Sequence, residues 1–457
     1  MVKTITVRKG FDIKLKGEAK KRVMDVEIDS YAVKPSDYLG VNPKLMVQKG
    51  DMVKVGQPLF YAKENPRILF TSSVCGQVQE IVRGEKRFIE EIQIKASKVQ
   101  ESVSFGEFAL DLMDKEQVIE KLLQTGLWTL LRQRPYAVIP NPESCPKCVI
   151  ITAFSSSAYA PDYNLLTQGR EKDIQMGIEV IKKVANCKVH LNVCGKNTTA
   201  PEILNLKGVQ INRFVGKHPV GNVSVQISRL DPMCKGDRVW YVDIQDLAII
   251  GRFFLSGRIE KDKIIALAGS EVKNPQYYRV RMGACIFPLV NDNVNSQNFL
   301  RFISGDVLTG KSIAKTGYIG AYDNLISVIK EGNYYEFLGW IAPGLKKFSF
   351  YRTFLSGFTN LLPFSRRKPV EIDTNMHGGK RALVLTGEYE KVLPLDIYPM
   401  QLIKACIIGD IDLMEQLGIY EVDAEDFALC EVIDVSKTDI QSIIRNGLEL
   451  IRKEMGE

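Results

Sequence analysis

The sequence predicts a multidomain α+β protein, and three observations predict it. Short alternating apolar runs punctuated by Gly and Asp fill the first hundred residues. From Cys148 the pattern changes to apolar strand, amphipathic helix, apolar strand. The end of the chain has apolar residues at helical spacing only. At 457 residues the chain exceeds what one core supports. The expected units are a small β-sandwich at 1–100, a helical linker with an α/β unit at 101–257, a second β-rich unit at 258–335, a connection at 336–390 and a helical unit at 391–457.

The first unit rests on KGDMVKVGQPLF and SSVCGQVQEIVRGEKR. Gly50-Asp51, Gly56-Gln57, Gly76 and Gly84 occupy turn positions, and Met52, Val53, Val55, Leu59, Phe60, Val78, Ile81 and Val82 alternate between them. These halves resemble the biotinyl/lipoyl-type barrel-sandwich hybrid, whose carrier lysine sits in the hairpin between the halves. Here the hairpin reads Lys63-Glu64-Asn65-Pro66-Arg67, with proline where the carrier family places its modifiable lysine tip. The fold is expected to be kept and the carrier chemistry lost.

In the second unit, LDLMDKEQVIEKLLQTGLWTLLRQ places Val118, Ile119, Leu122, Leu123, Leu127, Leu130 and Leu131 on one helical face. That helix is expected to run to Arg134-Pro135. VIITAFSS then reads as a strand, EKDIQMGIEVIKKVANC as a helix and KVHLNVCG as the next strand. Where a dinucleotide fingerprint would follow the first strand, Ser155-Ser156-Ser157-Ala158 stands instead, a turn that suits a small anion at most. The third unit carries Gly269-x-x-Val272-x-x-Pro275-x-x-Tyr278-Arg279-Val280-x-x-Gly283, which resembles the soluble-ligand-binding β-grasp (SLBB) module. Such modules serve as brackets or as ligand sites, and the bracket reading comes first. The last unit shows Leu402, Ile403, Cys406, Ile407, Leu413, Met414 and Leu417, then Ile440, Ile443, Ile444, Leu448 and Ile451, all at helical spacing.

Composition excludes several classes. The net charge of +7 comes from dispersed basic residues, so nucleic-acid binding is not indicated. No apolar run approaches the roughly 18 to 20 residues that span a bilayer, and the N-terminus lacks a signal-peptide core. A cytoplasmic protein able to dock at a membrane is expected. Nine cysteines at irregular spacing argue against a disulfide framework. Cys145 and Cys148 form a lone CxxC, two of the four thiolates a metal site needs, so an unliganded, oxidisable pair is expected. His190, His218 and His377 are dispersed and form neither a metal site nor a hydrolase order.

The order of units resembles the flavin-bearing NADH-oxidising subunit of complex I and the C subunit of the Rnf complex, but the details depart from both. Where those relatives wrap a flavin phosphate with a Gly-rich loop, residues 125–136 read TGLWTLLRQRPY, with one glycine. Where the Rnf-type subunit has Cys-Pro, Leu393-Pro394 stands, and only Cys430 remains near the second ligand group. The stretches GLWTLLRQRPYA, RFFLSGRI, GYIGAYDNLISVIKEG, FLGWIAPGLKKFSFYRTFLSG and GEYEKVLPLDIYP are far more specific. Through them the chain resembles, over essentially its whole length, the A-subunit family of the bacterial sodium-translocating NADH:quinone oxidoreductases.

The resemblance implies a peripheral subunit on the cytoplasmic face of the inner membrane, without a transmembrane segment or a tightly bound cofactor. Its partners would be the other subunits, above all the membrane-embedded ones, which use NADH, flavins and an iron–sulfur center to reduce quinone and export sodium. The isolated subunit would be inactive. A quinone head needs an aromatic or aliphatic slot with hydrogen-bond donors. Trp128, Arg132, Arg134 and Tyr136 supply that chemistry where the relatives place flavin, and Tyr38, Lys44 and Met46 form a second set. The competing reading has Trp128 packing a helix face while the arginines satisfy helix-end carbonyls. The stretch 346–369 is basic at both ends and aromatic between them, so Phe350, Phe354, Phe358, Leu361 and Leu362 are candidates for docking on a membrane partner or lipid. An internal core hairpin is the alternative. Two rivals stand beside this reading: a purely structural subunit, and a flavoprotein of the complex I type.

Overall fold

The segment Cys148–Ala153 is apolar and β-branched, as a strand covered on both faces must be, and every residue in it is buried. In the computed structural model it lies inside a six-stranded sheet. The order across that sheet is Lys3–Thr6, Gln210–Val215, Lys188–Cys194, Cys148–Ala153, Val239–Asp243 and Arg132–Arg134. All neighbours run parallel except the last pair, which is antiparallel. The structure describes residues 2–456 apart from 107, 199, 296–298, 340, 342, 345–346, 348–349, 351–354, 356–368, 377–378 and 380.

From Cys148–Ala153 the chain winds outward through two strands on one side, then returns to place Val239–Asp243 on the other. The winding direction therefore reverses between these two strands, and a crevice opens at their carboxyl ends. The helices Glu171–Ala185 and Ile244–Ser256 pack on each other over the sheet. Their approach is so close that a Cβ at Gly251 would lie 1.8 Å from the Asp173 carbonyl oxygen.

The first unit folds as two facing sheets. One contains Ser30–Val33, Ile89–Ala96, Gly76–Arg83 and Met52–Val53, and the other Pro43–Leu45, Pro58–Ala62 and Asn65–Thr71. Lys63 and Glu64 make the hairpin turn, and Pro66 lies in the strand that follows. The expected unit 1–100 is not spatially closed, however. Lys3–Thr6 edges the central sheet, and Lys20–Asp25 edges a second six-stranded sheet built mainly from residues 262–330. Alternation marks these residues as strands, but it carries no information about which sheet recruits them.

The linker helix is shorter than its periodicity implies. It spans Lys115–Gln124, opened by an Asp114–Gln117 capping box. Gly126, at φ +68°, ends it, a 3₁₀ turn covers Leu127–Leu130, and Arg132–Arg134 is a strand. The left-handed glycine terminates the helix well before the proline does. The C-terminal unit comprises the helices Pro399–Ile408, Ile411–Gln416, Ala428–Ile433 and Ile440–Glu454. Leu402, Ile403, Phe427 and Ile444 share one core with Ile5, Phe154 and Phe214 of the central sheet, so the helical unit is fastened to that sheet's edge.

Candidate functional site

A cavity of about 190 Å³ opens at the reversal point of the central sheet. A single water needs only about 10–15 Å³ by the same measure, so the space suits a ligand of several heavy atoms. Three units wall it. The central sheet supplies residues at strand ends: Arg132, Phe154, Ser155 and Asp243. The second sheet supplies Asp306 and the run Tyr322-Asp323-Asn324-Leu325, and the helical unit supplies Glu425.

Arg132 dominates the wall. Its guanidinium lies 4.5 Å from the ring centre of Tyr241 and 4.3 Å from that of Tyr322. Tyr322 is held in turn by donating its hydroxyl to the Thr129 carbonyl at 2.7 Å. Among the described residues no carboxylate lies within ion-pair distance of Arg132. Stacking fixes the plane of the side chain at the cavity wall.

His218 provides a second polar group. Its Nδ1 lies 3.1 Å from Ser156 Oγ, which accepts the Gly221 N–H at 2.8 Å. Burial holds the imidazole pKa below its usual range, so the ring is neutral. The other ring nitrogen, Nε2, is buried and has no hydrogen-bond partner among the described residues.

The carboxylates are each engaged. Asp243 caps the helix Ile244–Ser256 by accepting the Gln245 N–H at 2.9 Å, and it accepts the Tyr163 hydroxyl at 2.8 Å. Burial, then the neighbouring Asp246, pushes the Asp243 carboxyl up to about 6, against the pull of Lys263. Burial also raises Asp323, which accepts the Ser304 hydroxyl at 2.6 Å. Asp306 accepts the backbone N–H groups of Leu308 and Thr309, and Glu425 pairs with Arg134 at 2.5 Å. With Glu425 paired to Arg134, three carboxylates against Arg132 still make the lining acidic, which disfavours phosphates and leaves neutral ligands unaffected.

Of the first candidate set, only Arg132 lines this cavity. Trp128 is fully buried, donates its indole N–H to the Pro140 carbonyl at 2.8 Å and meets Trp240 edge-on at 5.5 Å. Arg134 is buried at the joint with the helical unit, paired with Asp423 and Glu425. Tyr136, at φ +78°, faces a narrow crevice beside Arg445, which donates to its carbonyl at 3.0 Å. The packing alternative fits Trp128, but the arginines meet carboxylates and tyrosines rather than helix ends.

The second set does not converge either. Tyr38 is buried edge-on against Phe70 and Tyr322, in a space of about 20 Å³. Lys44 and Met46 are exposed, with the Lys44 ammonium 5.9 Å from the Tyr61 ring centre. Tyr38 follows the turn at 35–37 into the core, while Lys44 on the strand Pro43–Leu45 and Met46 just after it are both exposed.

Phe350 is half-buried and edge-on to Phe11 at 5.3 Å, packed against the core of the helical unit. Phe354, Phe358, Leu361 and Leu362 lie outside the described residues. Cys145 is exposed and Cys148 buried, with burial pushing the Cys148 thiol up to about 12. Among the described residues no cluster of His, Cys, Asp or Glu could hold a metal ion.

Sequence reasoning missed Tyr163, Asp243, His218 and Tyr322. One signal was present: VWYVD ends a buried parallel strand in an aspartate, the position from which open α/β sheets reach their ligands.

Comparison with known proteins adds three family models. "NqrA N-terminal barrel-sandwich hybrid domain" matches residues 5–97, "NqrA second alpha/beta domain" residues 113–259 and "NQRA C-terminal domain" residues 264–315. The chain is 35% identical to the A subunit of the Na(+)-translocating NADH-quinone reductase of Haemophilus influenzae over 456 residues, covering 98% of this chain and 100% of the relative. It is 36% identical to the corresponding chain of Yersinia pestis over 455 residues, with the same coverage. Among solved structures, an NAD+-reducing [NiFe]-hydrogenase aligns with 75% of this chain and 62% of its own at 10% identity and a TM-score of 0.36.

Proposed function

The chain belongs to the NqrA family, the A subunits of the Na(+)-translocating NADH-quinone reductases, and from that premise we propose that its cavity receives the quinone head group. It is one subunit of that reductase, and its partners are the complex's other subunits. The observation that carries the proposal is Arg132, which lines the cavity against two tyrosine rings and has no carboxylate partner among the described residues. A quinone offers carbonyl acceptors and no charge, so it takes the arginine's hydrogen bonds without repulsion from the acidic lining. A flavin or nucleotide phosphate would meet that repulsion. The same lining, together with the single glycine in residues 125–136, supports the reading that flavins and the iron–sulfur center belong to partner subunits.

The subunit is peripheral in this reading and sits on the cytoplasmic face, where it meets membrane-embedded partners. No helix of the described residues is long and apolar enough to cross a membrane. The stretch 346–369 supplies the docking surface through Phe354, Phe358, Leu361 and Leu362.

The test is a quinone titration of the assembled complex with parental chain and with Arg132→Ala. Removing a charged donor should weaken quinone by about 1.5–3 kcal/mol, roughly 10- to 100-fold. A photoreactive quinone should label the cavity wall near Tyr322 and Leu325. Unchanged affinity with labelling elsewhere would leave this chain a structural bracket.

A further inference from the structure

Resting on the quinone reading above, we propose that Tyr163 is the catalytic proton donor to the bound quinone and that Asp243 reloads it from solvent. Both residues line the cavity, and the Tyr163 hydroxyl lies 2.8 Å from Asp243 Oδ2. Asp243 is fixed by the Gln245 N–H on its other oxygen, so the pair keeps its geometry while protons move.

The other cavity carboxylates are occupied differently. Loop N–H groups hold Asp306, Arg134 holds Glu425, and Asp323 takes a serine hydroxyl. Asp243 alone among these four is joined to a phenol that also faces the cavity.

Charged groups surround the pair. Asp246 sits on the same helix as Asp243, and Lys263 of the strand Asp262–Ala268 pairs with Asp246 at 2.7 Å. Across the cavity stand Arg132, His218, Asp323 and Glu425. Burial, then Asp246, favours protonated Asp243 and Lys263 opposes it, which sets the carboxyl at about 6, within reach of neutral pH. Tyr163, raised well above its ordinary range by burial and Asp243, stays protonated until a stronger base asks for its hydrogen.

The step balances as follows. When Asp243 holds a proton, its O–H donates to the Tyr163 oxygen and the phenol hydrogen turns to the quinone oxygen. Two electrons, derived from NADH through the complex, enter the quinone. The Tyr163 proton forms one new O–H bond, and the Asp243 proton passes to Tyr163 and leaves a carboxylate. Asp243 then takes a proton from solvent, and the far quinone oxygen, across the ring from Tyr163, takes its own proton from solvent to form the other O–H bond. The sum is quinone, two electrons and two protons giving quinol.

The experiment uses the purified complex carrying Asp243→Asn, Tyr163→Phe or Arg132→Ala. Asparagine keeps the helix cap but cannot reload a proton. Asp243→Asn should bind quinone with parental affinity and Tyr163→Phe should weaken it by roughly tenfold or less, the worth of one neutral hydrogen bond, while NADH-driven quinone reduction falls roughly 10²- to 10⁴-fold in both. Parental turnover should decline as pH rises through about 6, and Asp243→Asn should lose that break. If both variants keep parental turnover and the same break while Arg132→Ala weakens quinone, the relay is overturned and the quinone site stands. If Arg132→Ala leaves quinone affinity unchanged, the site itself fails and the relay fails with it. Should Asp243→Asn not assemble, Tyr163→Phe decides alone, because it removes one hydroxyl from an otherwise intact ring.

Discussion

Arg132 and Arg134 stand two residues apart on one short strand, both near the ring of Tyr241, and they belong to different regions of the molecule. Arg134 lies at the joint between the central sheet and the helical unit. It is buried and locked to Asp423 and Glu425, and Asp423 is bound again by Arg445. Arg132 lies on the cavity wall, held against two tyrosine rings and without an ion-pair partner among the described residues. Equal chemistry and near-equal position thus give two roles. A charge whose partners are all internal fastens a domain, while a charge that is oriented but unpaired awaits a ligand.

The largest expected effect breaks the joint. Arg134→Ala leaves Asp423 with Arg445 alone and the partly exposed Glu425 without a guanidinium, so the loss should be about 3 kcal/mol, the low end for breaking a buried pair. Denaturant unfolding of the subunit should show that loss, and an unchanged midpoint would mean the joint is not a fastening.

Asp426 sharpens the same side. Burial, then Glu425, raises its carboxyl from the ordinary 3.8 to about 7. The folded state therefore holds a proton that the unfolded chain has released, so this contribution is full below the ordinary value and is lost as pH rises through about 7. The slope across that window is at most about 1.4 kcal/mol per pH unit. Thermal melts of Asp426→Asn should fall less steeply with pH than those of the parent, and parallel curves would remove Asp426 from the account.

The cavity side should respond the other way. Arg132→Ala loses two cation–π contacts worth about 0.5–1 kcal/mol each, so its melting temperature should drop less than that of Arg134→Ala. Its quinone affinity should carry the deficit. If Arg132→Ala proves as destabilising as Arg134→Ala, the distinction between the two arginines collapses.

The smallest effect on the fold is expected at the docking stretch. Phe354→Ser with Phe358→Ser should weaken assembly, at roughly 1.5–3 kcal/mol per buried ring, while the isolated subunit melts like the parent. A collapse of the subunit's own stability would place these residues in its core, as Phe350 already lies against Phe11.

Much of the fold was legible because it rests on short-range periodicity. The apolar run at Cys148–Ala153 and the glycine turns of the first unit report their own conformation. The helix over 115–124 was legible too, but its end was misplaced because the proline at 135 drew more weight than Gly126. The candidate site was legible only at Arg132. Trp128, Arg134 and Tyr136 share its neighbourhood in sequence, yet burial, an ion pair and a left-handed backbone send each elsewhere.

The sequence by itself determined the fold class, the main strands and helices though not the strand Arg132–Arg134, and the family, because each is written in contiguous residues. Only the tertiary structure decided which sheets recruit Lys3–Thr6 and Lys20–Asp25, and that Arg132, Tyr163, His218, Asp243, Tyr322 and Glu425 meet around one space. The reason is physical. The cavity arises where the winding of a parallel sheet reverses and two other units close over its strand ends, and no local pattern encodes that meeting.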